Sequence, residues 1–507
     1  MTDGAGRPTV AVVGGGLAGV SAALRLADAG LRVTLLESRA RLGGVAGSSH
    51  RGELAIDTGQ HVFLRCCTSY RAFLDRIGAA AQVTVQERLD IPVLAPGAPP
   101  ARLRRTGLPA PLHLAGALLR YRHLSLRERL AMVRAALALG RVDREAPTTD
   151  ARSFGEWLTA HGQSARAVDT LWDVVGIATL NARAGDASLA LAATVFQLGL
   201  LAEADAADIG VATVPLGALH DDAAARALAA AGVTVRRSAK VVALRPDGSS
   251  WRIPLGGPGA TDRTGTDEAD PDGSGSDRSE PDGGRDRDSD REEELVVDRI
   301  VCAVPPAAAE RLLPAEAAGR AARWAEGLGS TPIVNVHVVY DRRVLDGPFA
   351  AGVDTPVQWV FDRTEQSGVA GVHGPDAQYL ALSLSAADDL VGLPQATFRE
   401  RFLPALEALL PAARTARVLD FFVTREPHAT FRGAPGTAAL RPGPRGVADT
   451  APGIYLAGAW TGTGWPATME GAVRSGDAAA AALLADAELP GSTGADLAPG
   501  GRPVVAA

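Results

Sequence analysis

Lysine is almost absent from this chain. Lys240 is the one lysine among 507 residues, so arginine carries nearly all the positive charge. A coding bias toward GC-rich codons accounts for that. Cysteine is nearly as scarce. Cys66, Cys67 and Cys302 are too few for a disulfide framework and lack the spacing of a metal site, as expected in a reducing cytosol. The adjacent pair Cys66-Cys67 reads as packing. A long apolar run is missing as well. The best stretch, 187–202, is interrupted by Thr194 and Gln197, falls short of a membrane span and reads as a buried helix. The opening residues MTDGAGRP carry no hydrophobic segment of the signal-peptide kind. A cytoplasmic protein is expected, or one peripheral on the inner face of the cell membrane. Nor is there a basic excess. The formal net charge is −7, and residues 261–294 alone hold 14 acidic and 5 basic side chains, so the remainder is close to neutral. Nothing calls for a nucleic-acid face.

What is present is length and a strongly patterned N-terminus. A chain of 507 residues with 46% hydrophobic side chains is too long for one simple core and predicts two or more domains. Its organising stretch is 10–37. A short apolar strand (10–13) meets Gly14-Gly15-Gly16-Leu17-Ala18-Gly19, an alanine-rich helix follows to about Asp28, Gly30 ends it, and a second apolar run (31–36) stops at Glu37. Gly14 permits the tight turn off the strand, Gly16 lets the backbone approach a pyrophosphate, and Gly19 lets the helix pack closely on the sheet. The free N–H groups of the helix start, at Leu17 and Ala18, hold anionic oxygens. Glu37, 18 residues past Gly19, stands where a carboxylate accepts hydrogen bonds from a ribose diol. A glycine turn in some other strand–helix–strand unit is the plain alternative.

Further along, Ser38 to Gly44 forms a loop in which Arg39 and Arg41 lie near phosphate or adenine, or merely in solvent. Residues 54–56 predict a strand ending at Asp57-Thr58-Gly59-Gln60-His61. A helix is expected over 68–78, one or two strands over 82–94, and a proline-rich loop over 92–111. Residues 112–141 read as helical. There Leu114, Leu118, Leu119, Leu126, Leu130 and Met132 mix with Arg120, Arg122, His123, Arg127, Arg129 and Arg134. That mixture suits a peripheral membrane contact, and equally an ordinary amphipathic helix with a solvated face. Ser153 with Glu156 predicts a capping box, and helices continue over 165–180 and 187–203. Character returns to mixed helix and strand near Val211. Residues 255–294 have almost no apolar side chains, cannot offset their ordering entropy, and read as a disordered insertion at a hairpin tip. Strands are expected at 294–304, 333–340, 358–361, 379–385 and 418–424, with a helix over 396–410. A disordered tail is expected over 488–507.

The C-terminal region repeats the grammar of the start: a strand, Gly458, a loop, then a helix opening at Met469. A helix N-terminus suits the pyrimidine end of a reduced flavin, which favours FAD over a nicotinamide. At this point the stretches GGGLAG, ESRARLGG, DTGQH, SAKVVAL, DRIVCAVPP, YLAGAW and MEGAVRSG resemble the phytoene desaturase and amine oxidase superfamily of FAD enzymes. GQHVFL, LWDVVGIATLNARAGDAS and AWTGTGWPATMEGAVRSG resemble most the hydroxysqualene dehydroxylases, the squalene-associated desaturase-like proteins.

That resemblance implies an α/β fold. A Rossmann-like FAD-binding domain of GR2 type (8–90, 211–310 and 450–487) is joined to a discontinuous α+β substrate-binding domain (91–210 and 311–449). It implies non-covalent FAD, with Gly14, Gly16, Leu17, Ala18 and Gly19 at the pyrophosphate and Glu37 and Ser38 at the ribose. Arg41, Gly43, Gly44 and Gly59 then lie along the dinucleotide, Val241 at the adenine, Gly458 by the ribityl chain and Met469 at the pyrimidine ring. Ala459 departs from the family pattern, which usually has Asp or Glu there. The implied partner is a long-chain isoprenoid, and the implied reaction is reductive removal of the allylic hydroxyl of hydroxysqualene to give squalene. An acid protonates the leaving hydroxyl, and hydride from N5 of the reduced flavin quenches the allylic cation. His61 and Asp173 are the candidate acids; a structural histidine and a surface or capping carboxylate are their alternatives. Trp172, Asn181 and Trp465 are candidate substrate-lining residues, the two tryptophans equally at home in a core. No metal is implied. A carotenoid-type desaturase would share almost every motif. A flavin amine oxidase fits less well, because such enzymes commonly place a lysine at flavin N5 and the single lysine here lies in the strand on the adenine side.

Overall fold

The computed structural model describes residues 7–256 and 293–487. Most of the expected insertion and the whole expected tail lie outside the described residues. The edges of the insertion do not: Leu255 pairs with Glu293 and Pro254 with Glu294 in an antiparallel ladder. The strand pairing therefore runs further toward the polar segment than composition alone suggests.

A five-stranded, all-parallel sheet is the frame. Its spatial order is Thr234–Arg236, Arg32–Leu36, Thr9–Val13, Arg299–Cys302 and Ile454–Leu456. The central strand is apolar from Val10 to Val13 because both its faces are covered. Val10 and Val12 join the core of the first helix, Leu17–Asp28, and the last helix, Met469–Asp486. Ala11 and Val13 join the core on the other face, with Ile300, Trp251 and Trp324. The two helices pack so closely that a Cβ on Gly476 would run into the carbonyl oxygen of Ala18. Beside that contact, Ser21 Oγ donates to Asp477 Oδ1 at 2.6 Å.

A second, seven-stranded sheet has the order Val418–Thr430, Thr331–Tyr340, Gln378–Leu384, Trp359–Asp362, Phe349–Gly352, Asp90–Leu94 and Ala101–Arg104. All neighbours are antiparallel except Phe349–Gly352 and Asp90–Leu94. The strand Ala101–Arg104 falls inside the segment expected to be loop. Its pairing with Asp90–Leu94 overrides the flanking prolines. Both side-chain sets of Thr331–Tyr340 are buried: Val334, Val336 and Val338 pack with Phe398 and Phe402 of the helix Gln395–Leu409. On the opposite face His337 stacks on Phe422 at 4.5 Å and is bracketed by the Tyr379 and Thr424 hydroxyls. Burial pushes its pKa down to about 3, so it is a neutral core histidine.

A third, three-stranded sheet joins Phe63–Leu64, Ile209–Ala212 and Val83–Val85. The boundary expected at 210/211 falls inside its middle strand. The helical region 112–141 is broken at 120–125 into Ala115–Leu119 and Leu126–Leu139. The capping box at Ser153 and Glu156 is present. Among the described residues no helix is long and apolar enough to cross a membrane.

The helix contact yields a test. Gly476→Val forces the first and last helices apart and should lower stability by about 3 kcal/mol in urea unfolding, with Gly476→Ala intermediate. An unchanged midpoint would show that the contact carries no packing constraint.

Candidate active site

The turn after the first strand is shaped by what glycine lacks. Gly14 has φ 106°, and a Cβ there would come within 2.5 Å of the Ala303 carbonyl oxygen. A Cβ on Gly19 would strike the Gly14 carbonyl, so the helix sits directly on the turn. Gly16 is different. A Cβ there would have only the Gly44 Cα within 4.0 Å, leaving a trough between Gly14–Gly16 and the loop Gly43-Gly44. The Gly43 N–H donates to the Gly15 carbonyl at 2.9 Å and holds the two walls together. Leu17 and Ala18 begin the helix, and no side chain caps it, so its first N–H groups are free for an anion. The trough is the shape a dinucleotide pyrophosphate requires.

Glu37 stands at one end of this trough. Its buried carboxylate accepts from the Gly15 N–H at 2.6 Å, the Arg39 N–H at 2.8 Å and Ser38 Oγ at 3.2 Å. The next segment is fastened to it: the Ala239 N–H donates to the Glu37 carbonyl at 2.9 Å. Val241 follows, buried, in the two-residue strand Lys240–Val241, and the Val242 N–H donates to the Pro254 carbonyl at 3.0 Å. Arg41 folds back so that Nη1 donates to the Gly44 carbonyl at 3.3 Å; burial and then neighbouring Arg39 lower its pKa.

The far end of the chain supplies the other half. Gly458 (φ 134°) follows the last strand of the parallel sheet, and its N–H donates to Ser475 Oγ at 2.8 Å. Thr468 caps the last helix by accepting from the Gly471 N–H at 3.1 Å, which places buried Met469 at its first position. Glu470 turns the other way and accepts from the Tyr70 N–H at 2.7 Å. The loop between is organised by Arg441, a residue with no distinguishing sequence signal beyond its place in a Gly/Pro-rich stretch. Its buried guanidinium donates to the carbonyls of Ala459, Thr461 and Trp465 at 2.7–3.0 Å. Burial lowers its pKa to about 10, so it stays charged at neutral pH.

Two adjoining cavities lie beside the Gly59–His61 turn. One, about 370 Å3, is lined by His61, Asp57, Arg363 and Gln366. The other, about 450 Å3, is walled by Phe349, Trp359, Phe361, Ile209 and Ala178. Gln60, Val62 and Phe361 line both. Gln60 Oε1 is buried and has no hydrogen-bond partner among the described residues. Gly59 is buried, and His61 Nδ1 lies 3.3 Å from its carbonyl, the geometry of an Nδ1–H donor. Burial lowers the His61 pKa below 6.5, opposed by the Gly59 carbonyl and by Asp57. Asp57 and Arg363 form an ion pair at the cavity floor, a contact joining residues far apart in the chain.

The structure does not bring the other candidates to these cavities. Trp172 is a core residue, edge-on to Phe154 and Phe196, with Nε1 donating to Gln163 Oε1 at 2.9 Å. Asn181 ends its helix at φ 49° and ties Thr331, Thr430 and Ala386 together through its amide. Trp465 is half-buried under Arg474, 5.1 Å from ring centroid to guanidinium. Asp173 is buried, accepts from the Ala184 N–H at 3.0 Å, and has its pKa raised to about 6, chiefly by burial. It lines neither cavity.

This frame is that of the flavin-dependent oxidoreductases. The sequence profile of the family described as flavin containing amine oxidoreductase matches residues 17–484, and the chain belongs to that family, among its hydroxysqualene dehydroxylase-like members. It is 30% identical over 482 residues to the hydroxysqualene dehydroxylase of Rhodopseudomonas palustris, covering 94% of this chain and 98% of that protein. To a protein of Synechococcus elongatus described as "Probable zeta-carotene desaturase" it is 25% identical over 509 residues, covering 94% and 98%. Among solved structures, cyclohexylamine oxidase from Brevibacterium oxydans has the same fold: TM-score 0.64 at 18% identity, covering 95% of this chain and 100% of that one.

Asp173 gives a test with a defined sign. Its folded pKa of about 6 lies above the usual 3.8, so its own contribution to stability is greatest at low pH and falls as pH rises through that interval. Asp173→Asn keeps the acceptor for Ala184. It should flatten this dependence and raise stability at pH 8 by up to about 3 kcal/mol, with turnover retained. Loss of turnover in a stable Asn variant would instead return Asp173 to the reaction.

Proposed function

We propose that this flavin oxidoreductase uses non-covalently held FAD to remove the allylic hydroxyl of hydroxysqualene, giving squalene. The observation that carries the reading is the match to a hydroxysqualene dehydroxylase at 30% identity along nearly the whole of both chains. In this reading residues 8–90, 211–310 and 450–487 form the FAD-binding domain and 91–210 with 311–449 the substrate-binding domain.

The glycine trough fits FAD. Gly14, Gly16, Leu17, Ala18 and Gly19 would hold its pyrophosphate, and Glu37 with Ser38 its ribose. Arg41, Gly43, Gly44 and Gly59 would line the dinucleotide, Val241 the adenine, and Gly458 and Met469 the flavin end. No cysteine follows Cys302, which supports a non-covalent attachment. Reduced FAD, when bound, supplies the hydride that the reaction consumes.

The chain's own residues have three tasks. Phe349, Trp359 and Phe361 exclude water and offer ring faces to a developing allylic cation. Gln60, with its unpartnered oxygen, accepts from the substrate hydroxyl. His61, as imidazolium, donates the proton that lets hydroxide leave as water. Trp172 and Asn181 serve as packing behind this chamber, and Trp465 lies on the C-terminal loop. The full-length likeness to the carotene desaturase relative keeps one second reading, dehydrogenation of a polyene. Lysine-assisted amine oxidation has no support here, since Lys240 lines neither cavity.

Anaerobic mixing of the reduced holoenzyme with hydroxysqualene should yield one squalene per flavin reoxidised, and mixing of the oxidised holoenzyme with phytoene should leave the flavin oxidised; a reduced flavin left unchanged by hydroxysqualene, or an oxidised flavin bleached by phytoene, overturns the proposal. Because the His61 pKa is lowered, the single-turnover rate should fall as pH rises through a value below 6.5. His61→Gln should be slow and flat across that range. Glu37→Ala removes an acceptor of three hydrogen bonds and should weaken FAD binding about 10- to 100-fold by titration.

A further inference from the structure

The helix Leu126–Leu139 has two faces with opposite fates. Met132, Ala135 and Leu139 turn inward and join the core. The ends are fixed. Ser125 and Glu128 form a capping box, Glu128 also accepts from Ser164 Oγ at 2.7 Å, and Gln197 Nε2 donates to the carbonyls of Leu139 and Val142 at 2.8 Å. The outer face is a row of large apolar side chains in water. Leu126 is 64% exposed, Leu130 51%, Val133 37% and Leu137 46%, at the i, i+4, i+7, i+11 spacing of one helix stripe. Leu108, Leu112 and Leu119 extend the patch, and all the strongly exposed leucines among the described residues fall within 108–137.

The charge beside this row is of one sign. Residues 108–141 carry six arginines and a single acidic side chain, Glu128, which is already engaged in the cap. Arg127, Arg134 and Arg141 form a parallel stripe of exposed residues next to the leucines. None of the six arginines takes part in an ion pair among the described residues, whereas Arg102 and Arg166 nearby are paired with Asp90 and Asp354.

We propose that this face docks on a bilayer surface bearing anionic headgroups, with the Leu126–Leu137 row in the acyl boundary and the arginine stripe at the phosphates. The complementarity selects that occupant. The row is a strip about 17 Å long on one rigid helix. It carries no Trp or Tyr anchor of the kind that dominates protein interfaces. Its unpaired cations match the negative surface of a membrane. The inference supplies a reason for the placement through the proposed function, since a C30 hydrocarbon resides in a bilayer. Its test is independent of turnover.

The full-length holoenzyme is sedimented with vesicles of phosphatidylcholine alone or mixed with phosphatidylglycerol. Binding should be strong to the mixed vesicles, weak to phosphatidylcholine, and reduced by salt. Leu126→Ser/Leu130→Ser/Leu137→Ser should lower binding about tenfold or more, and Arg127→Gln/Arg134→Gln/Arg141→Gln should abolish the preference for the anionic lipid. Both variants should keep the wild-type unfolding midpoint and flavin spectrum. Wild-type protein that stays in the supernatant with both vesicles overturns the proposal. So does a leucine variant that binds vesicles normally, or one whose only change is loss of a dimer in light scattering, which would assign the face to a second copy of the chain. Vesicle binding without any conversion of hydroxysqualene would leave this proposal standing and remove the proposed reaction.

Discussion

Everything at the cofactor cradle depends on the close approach of the first and last helices. They come from opposite ends of the chain and meet because the parallel sheet places the strand Ile454–Leu456 two positions from Thr9–Val13. The approach is backbone to backbone at Gly476 and Ala18, so it fixes distance as well as contact. Hydrophobic burial alone would allow these helices to slide. The missing side chain at Gly476 and the Ser21–Asp477 hydrogen bond set how far the two N-termini stand from each other. A cofactor that spans both can then be held without either loop having to move.

Two buried charges complete the cradle in complementary ways. Glu37 gathers N–H donors from Gly15 and Arg39, and Arg441 gathers carbonyls from the loop 459–465. Each organises a loop that has too few apolar side chains to organise itself. Among the described residues neither is paired with an opposite charge. Their fields are met by peptide dipoles, whose positions the folded backbone fixes. The Asp57–Arg363 pair works otherwise, joining the segment before the Gly59–His61 turn to the end of Trp359–Asp362, the central strand of the seven-stranded sheet. The cavities beside it therefore have walls from two different sheets.

The parts of this arrangement that were legible in the sequence are those written in local spacing. Gly14, Gly16, Gly19 and Glu37 could be assigned shapes because each is explained by neighbours within one strand–turn–helix unit, and the structure gives Gly14 and Gly19 a steric reason to lack a side chain and leaves open space at Gly16. Ser153 and Glu156 were legible for the same reason. Arg441 and Arg363 were not, since their partners are distant in sequence and an arginine in a loop looks like any other. Trp172 and Asp173 illustrate a different limit. An apolar helix carrying a tryptophan and an acid reads equally as chamber or as core, and only the positions of Phe154, Phe196 and Ala184 decide. The residues 126–139 were legible as amphipathic, but which apolar positions face water depends on the core that takes Met132 and Leu139.

The antiparallel ladder that ends at Leu255 and Glu293 has one more consequence. The chain leaves and re-enters the fold as hydrogen-bonded neighbours, so the length of whatever joins them is nearly decoupled from the rest of the molecule. Doubling a flexible connection costs only about 0.6 kcal/mol of closure entropy. The ladder end at Leu255 and Glu293 is thus a permissive junction, where a reporter domain or a shorter connection can be spliced without any change in the register that carries Val241 toward Glu37.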